Sequence, residues 1–250
     1  MAKGAYVGVG GVARKVKTPY VGVANVARKV KAGYVGVDGV ARQFYSGGKP
    51  LSEYAVGSIV LVPENGTNVE FYVAKHDYES GLNGAGRTLL VRKTYYKQSA
   101  WGSYTGQYSG STVDTLLTGT YKSLFSSAVQ TAIGTTKIYC ALNSDMDSAS
   151  SLEKSIFLLS CTEYGLIDEN SAYFIEGSAL PIASTLRNAA GNGKWTRSVK
   201  KRDKSLVAIQ AASPPSYVSN SDPTASRYVF PAFTLPKSTS FNPETNVILL

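Results

Sequence analysis

Residues 5–45 read "AYVGVGGVARKVKTPYVGVANVARKVKAGYVGVDGVARQFY", and this near-identity between successive stretches limits what the chain can become. The phrase YVGV restarts at Tyr6, Tyr20 and Tyr34, and each copy passes through a two-residue break into VAR. The breaks are Gly10-Gly11, Ala24-Asn25 and Asp38-Gly39; the first two copies continue as KVK, and the third diverges at Gln43, Phe44 and Tyr45. Alternating valines on either side of Gly-Gly and Asp-Gly predict a short β-hairpin or β-arc per copy, because those dipeptides accept the positive φ of tight turns. Pro19 and Gly33 separate the copies. Forty residues of glycine-weakened, two-sided strand bury too little apolar area to stand alone. The segment is therefore predicted to take fixed shape only against a partner.

Charge singles out the same segment. The chain has 250 residues and a formal net charge of +9. Residues 1–45 hold eight Lys or Arg against Asp38 alone, a net +7, whereas the other 205 residues carry 18 basic and 16 acidic side chains. Three readings of the repeats stand side by side: a solvated basic leader, a nucleic-acid contact through phosphates, and docking into an assembly by strand addition. Docking is favoured. Unpaired strand edges seek partners, basic side chains steer toward an acidic scaffold, and the aromatic platform of a single-strand binder is missing, so nucleic acid is not expected. The docking residues would be Tyr6, Arg14, Lys15, Lys17, Tyr20, Arg28, Lys29, Lys31, Tyr34 and Arg42.

Gly47-Gly48-Lys49-Pro50 reads as a hinge, dividing a basic three-repeat arm (1–48) from a body (49–250). The body is expected to be α+β and β-rich, with short helices. Strand candidates are 58–62, 69–76 and 88–95, the first two joined by an Asn65-Gly66 turn. Val113, Leu116, Leu117, Tyr121 and Leu124 fall at helical intervals behind the candidate caps Ser111 and Asp114, with Gly119 expected to split the helix. "KSIFLLSCTEYGL" reads as a buried strand entering a turn, and "LVAIQ" and "RYVFPAFTLP" as closing strands. No apolar run approaches the roughly 18 residues of a membrane span, and glycines and lysines interrupt the start where a signal peptide would need an apolar core. Release without ordinary secretion is the expectation.

The phrases "GSIVLVPENGTNVEFYVAKHDY", "NGAGRTLLVRK", "FLLSCTEYGL", "EGSALP", "WTRS" and "YVFPAFTLP" occur in an order that resembles an uncharacterised domain family of Gram-positive bacteria and their phages. Its hallmark is similar to WWLRSP followed later by VRPAF. The YVGV…VARKVK repeat resembles a companion of that domain in phage-derived proteins. Here Lys194-Trp195-Thr196 replaces Trp-Trp-Leu, Val199 replaces the proline, and Val229-Phe230 stands where Val-Arg is usual. The resemblance implies a C-type-lectin-like fold, related to formylglycine-generating enzymes and to variable proteins of diversity-generating retroelements. Read physically, the hallmark is core: Trp195 an anchor between sheet and loops, Arg197 paired with Glu163 or Glu176, Phe233 packed inward after Pro231.

Chemistry is sparse. His76 is the one histidine, and an adjacent His-Asp pair in a strand points to opposite faces. Cys140 and Cys161 read as a reduced pair of small buried hydrophobes, and the usual zinc sites fail for want of ligands. Asp145 and Asp147 lie in a polar loop that calcium could occupy, though their spacing reproduces no calcium loop; no cofactor is expected. An enzyme is not expected. What remains is a display surface of Tyr-, Ser-, Gly- and Asn-rich loops, compositions that make adaptable contacts. The ligand candidates are Trp101, Tyr104, Tyr108, Lys194, Lys200, Arg202 and Tyr217. The reading is a phage or prophage virion protein, assembled in the host cytoplasm and homo-oligomeric. Its arm meets capsid or tail proteins, and its lectin-like body decorates the capsid or, as a tail or fibre component, binds a host-surface glycan or protein. Pure capsid decoration and a carbohydrate-active enzyme on the same fold are the alternatives.

Overall fold

Asn65 and Gly66 both take positive φ, 47° and 78°, and reverse the chain between strands Ile59–Glu64 and Thr67–His76. This is the two-residue turn whose twist matches antiparallel strands. Alternate residues of Ile59–Glu64 are buried, so one of its faces lies on the core. The computed structural model describes residues 6–9, 11–15, 19–24, 26–30, 32–37, 40–46, 48–102, 107–141, 150–166, 174–188, 193–199, 206–210 and 217–250. The fold is β-rich α+β, 19% helical and 39% strand.

Two five-stranded sheets organise residues 49–250. The first runs Ile156–Phe157, Ala232–Pro236, Arg87–Arg92, Thr67–His76, Ile59–Glu64, antiparallel throughout. The second runs Lys97–Ser99, Arg227–Val229, Lys194–Val199, Leu206–Gln210, Tyr217–Ser221. Its pairings are antiparallel except that Arg227–Val229 lies parallel to Lys194–Val199. "RYVFPAFTLP" is the crossover between them: Arg227–Val229 closes in the second sheet, and after Phe230-Pro231 the chain enters the first. Proline fits there because it has no N–H to leave unpaired at the break.

Ser111 caps the helix Thr112–Leu116 by accepting the Asp114 N–H at 3.1 Å. Gly119 does not split the segment as expected. The chain widens into a π turn over Leu117–Tyr121 and tightens into a 3-10 turn over Lys122–Leu124, keeping Val113, Leu117 and Tyr121 buried. The "FLLS" strand is also shorter than expected, only Ile156–Phe157 being paired. Phe233 sits edge-on to Phe71 and Phe125 at centroid distances of 5.1 and 5.4 Å. Lys49–Pro50 pairs with Ser240–Phe241, bringing the start of this region against its end.

Residues 6–46 form three hairpins, each a two-stranded sheet: Tyr6–Val9 with Val12–Lys15, Tyr20–Val23 with Val26–Lys29, and Ala32–Val37 with Val40–Ser46.

Candidate functional site

The hairpin register follows from the repeat. Tyr20 pairs with Lys29, Val21 with Arg28, Gly22 with Ala27 and Val23 with Val26, and the first copy repeats this spacing with Tyr6 opposite Lys15 and Val7 opposite Arg14. The third keeps Val35 opposite Arg42 and Val37 opposite Val40, places Tyr34 opposite Gln43, and extends to Ala32 and Ser46. Val21, Val23, Val26 and Arg28 therefore share one face of the middle hairpin. None of them is covered: Val21 is 51%, Val23 46% and Val26 57% exposed. Of nine large apolar side chains exposed among the described residues, five belong to these hairpins, including Tyr20 and Tyr34. Lys17 and Lys31 lie outside the described residues.

The Lys194–Val199 strand presents the opposite condition, since all six residues are buried, polar ones included. Arg197 is wholly enclosed. Its Nη1 donates to Glu163 Oε2 at 2.6 Å and to the Leu158 carbonyl at 2.8 Å, and its Nε donates to the Tyr139 carbonyl at 2.7 Å. The other Glu163 oxygen accepts the Tyr78 hydroxyl, and Oε2 also accepts the Ser160 N–H. Burial is the largest single influence and pulls the guanidinium down, but Glu163, Tyr78 and Glu176 together outweigh it and hold Arg197 charged. Glu176 is a neighbour, not the ion-pair partner: its carboxylate accepts the Ala141 N–H and the Ser198 hydroxyl, and burial pushes it up. Ser198 Oγ in turn accepts the Cys161 N–H at 2.9 Å. Such a network ties four chain segments to one strand, and each member removed leaves a buried polar group unpaired.

Three display candidates prove to be interior. Trp101 and Tyr108 are fully buried, Trp101 packing on Trp195 at 5.3 Å and on Tyr108 at 6.0 Å. The Tyr108 hydroxyl accepts the Leu158 N–H, so Trp101 and Tyr108, expected outward, turn into the core instead. Trp195 fixes the other side, its indole donating to the Ser99 carbonyl at 2.8 Å. Lys194 is the third correction. It is 0% exposed, and its ammonium donates to the carbonyls of Leu186 and Arg187 at the end of helix Ala183–Asn188. It lies over the rings of Tyr164 and Phe230. Helix-end carbonyls and ring faces replace a carboxylate, and burial lowers its pKa to about 7. Tyr217 lies in an outer strand of the second sheet. Tyr104, Lys200, Arg202, Asp145 and Asp147 lie outside the described residues.

One exposed aromatic was missed. Tyr95 is 47% exposed and rests on Tyr228 at 4.5 Å, while Tyr96 turns inward onto Tyr121. Arg92 fixes the turn beneath it, donating to Glu64 on one side and to the Thr94 and Tyr95 carbonyls on the other. The doublet Tyr95-Tyr96 is the available signal, since adjacent residues of extended chain face opposite ways.

The reactive groups are engaged or shielded. Burial pushes the Cys161 thiol up to about 12 and the Cys140 thiol higher still, far from thiolate reactivity at neutral pH. His76 spends Nε2 on the Tyr54 carbonyl at 2.8 Å and Nδ1 on the Thr88 hydroxyl at 2.7 Å. Among the described residues no three His, Cys, Asp or Glu side chains converge as a metal site, and no helix is long and apolar enough to cross a membrane.

The body is thus a β-rich protein with two five-stranded sheets and a buried, ion-paired arginine. Residues 85–237, more than half of the chain, match the family described as "Domain of unknown function (DUF6273)", and the chain belongs to that family. The matched segment holds Glu163, Glu176, Lys194–Val199 and the crossover, and the three hairpins precede it. No curated protein and no solved structure matches the chain.

Proposed function

We propose that this chain is a structural protein of a phage or prophage particle. Residues 1–48 act as an arm that docks it onto other virion proteins, and residues 49–250 form a C-type-lectin-like body carried on the particle. The observation that carries the reading is the contrast in covering. The hairpins leave valines, tyrosines and Arg28 in water, while the body encloses Glu163, Glu176, Lys194 and Arg197 together with Trp101 and Trp195. A surface that is at once apolar, basic and rich in strand edges is one that another protein completes.

The burial of Trp101, Tyr108 and Lys194 favours capsid decoration over host-receptor binding, because it removes three of the side chains that a ligand would have met. Among the described residues of the body, Tyr95 is an exposed aromatic available for contact with a glycan or protein. The engaged histidine and shielded thiols support a non-catalytic role.

Gold-labelled antibodies against residues 49–250, applied to particles released by lysis, test this. Even labelling of the capsid faces is the expected result, and labelling at a tail tip would move the protein to the receptor-binding role. Particles that carry none of the protein would overturn the reading.

A further inference from the structure

The three repeats differ from one another, and where they differ is informative. The turn changes from Gly10-Gly11 to Ala24-Asn25 to Asp38-Gly39, and the residue opposite the tyrosine changes from Lys15 and Lys29 to Gln43. The valine triplet and the arginine do not change. Val7, Val9 and Val12 with Arg14 become Val21, Val23 and Val26 with Arg28, then Val35, Val37 and Val40 with Arg42, in the same register. What each copy repeats is Tyr-Val-Gly-Val and Val-Ala-Arg, while the turn and the residue opposite the tyrosine vary. In the middle hairpin the three valines and the arginine form one face, exposed to solvent.

A face of three valines and one guanidinium has a definite complement. The valines call for apolar side chains spaced at two residues, the period of an extended strand. The guanidinium calls for a carboxylate, which it grips with two parallel N–H donors where an ammonium offers a point charge. The net +7 of the segment argues against a second copy of the same segment as the occupant and for an acidic one. We infer that each hairpin receives one extended segment of a partner protein, whose facing side chains, two residues apart, are apolar with a carboxylate among them, and that one chain takes three. The inference rests on the docking reading above and names its partner chemistry. Three linked sites make attachment multivalent, so modest individual affinity still gives firm docking.

The test is calorimetric titration of the full chain with the capped peptide Ser-Val-Ser-Val-Ser-Glu-Ser, whose two valines and glutamate share one face of an extended strand. The expected result is three peptides per chain, with binding weakened several-fold on raising salt from about 50 to 300 mM. Changing Arg14→Lys, Arg28→Lys and Arg42→Lys together keeps the charge and is expected to weaken binding about tenfold, roughly the worth of one charge-assisted hydrogen bond. Changing Val21→Glu, Val23→Glu and Val26→Glu together is expected to lower the count from three to two. No binding, a single site per chain, or a lysine variant that binds as tightly as the parent would overturn the inference. So would association between copies, seen by sedimentation of the chain alone, that displaces the peptide. A chain that ignores the peptide yet is found on particles sinks this inference and leaves docking intact; one that binds the peptide yet never reaches particles does the reverse.

Discussion

The hairpin strand "VARK" at Val26–Lys29 and the sheet strand "KWTRSV" at Lys194–Val199 both carry basic side chains on extended backbone, and they meet opposite fates. Arg28 is exposed, with three uncovered valines on its face. Arg197 is enclosed by Glu163 and the backbone carbonyls of Tyr139, Leu158 and Glu176. The difference is supply: the fold brings Arg197 acceptors from Tyr139, Leu158, Glu163 and Glu176, and a hairpin of two four-residue strands leaves Arg28 exposed. Basic strands therefore mean core where the fold provides the counter-groups and interface where it does not.

The largest effect expected from this contrast is in Glu163→Leu, which leaves a charged guanidinium buried without its carboxylate. A loss of about 3–5 kcal/mol in urea unfolding is expected, against no more than about 0.5 kcal/mol for Arg28→Leu. Equal losses would erase the distinction. Lys194 sharpens it through pH. Its folded pKa of about 7 lies below its ordinary 10.5, so between those values the unfolded chain binds a proton that the fold does not. Stability should rise as pH climbs through that window, by an amount on the order of a few kcal/mol, while below about pH 7 the full penalty of burying the ammonium remains. Lys194→Met should flatten the rise; a slope that survives the substitution assigns it to other groups. Smaller again is a matched pair of valine truncations. Val60→Ala, at a wholly buried position of the first sheet, should cost about 2 kcal/mol, and Val23→Ala should leave the melting temperature unchanged.

Much of this could be read from local sequence where the deciding interaction is local. Asn65-Gly66 announces its hairpin, Ser111 its cap, and the repeat period its register, because turn chemistry and alternation act within a few residues. Arg197 could be assigned to a buried carboxylate, though choosing Glu163 over Glu176 needed the fold. Trp101 and Tyr108 were misplaced because an aromatic, glycine- and serine-rich stretch has the composition of a binding loop as much as of a core segment. Lys194 was missed for a deeper reason. Lysine is almost never fully buried unless paired, and its partners are the Leu186 and Arg187 carbonyls, which every residue type possesses. The parallel pairing of Arg227–Val229 on Lys194–Val199 likewise depends on contacts that no motif encodes.

Amide hydrogen exchange on the purified, monomeric chain tests the central claim most directly. Isolated two-stranded hairpins are marginal in water. The amides of Val21, Val23 and Arg28 should therefore exchange nearly as fast as in an unfolded peptide, while those of Leu90 and Arg197 stay protected by many orders of magnitude. Protection of the hairpin amides equal to that of Leu90, with no partner present, would contradict the account.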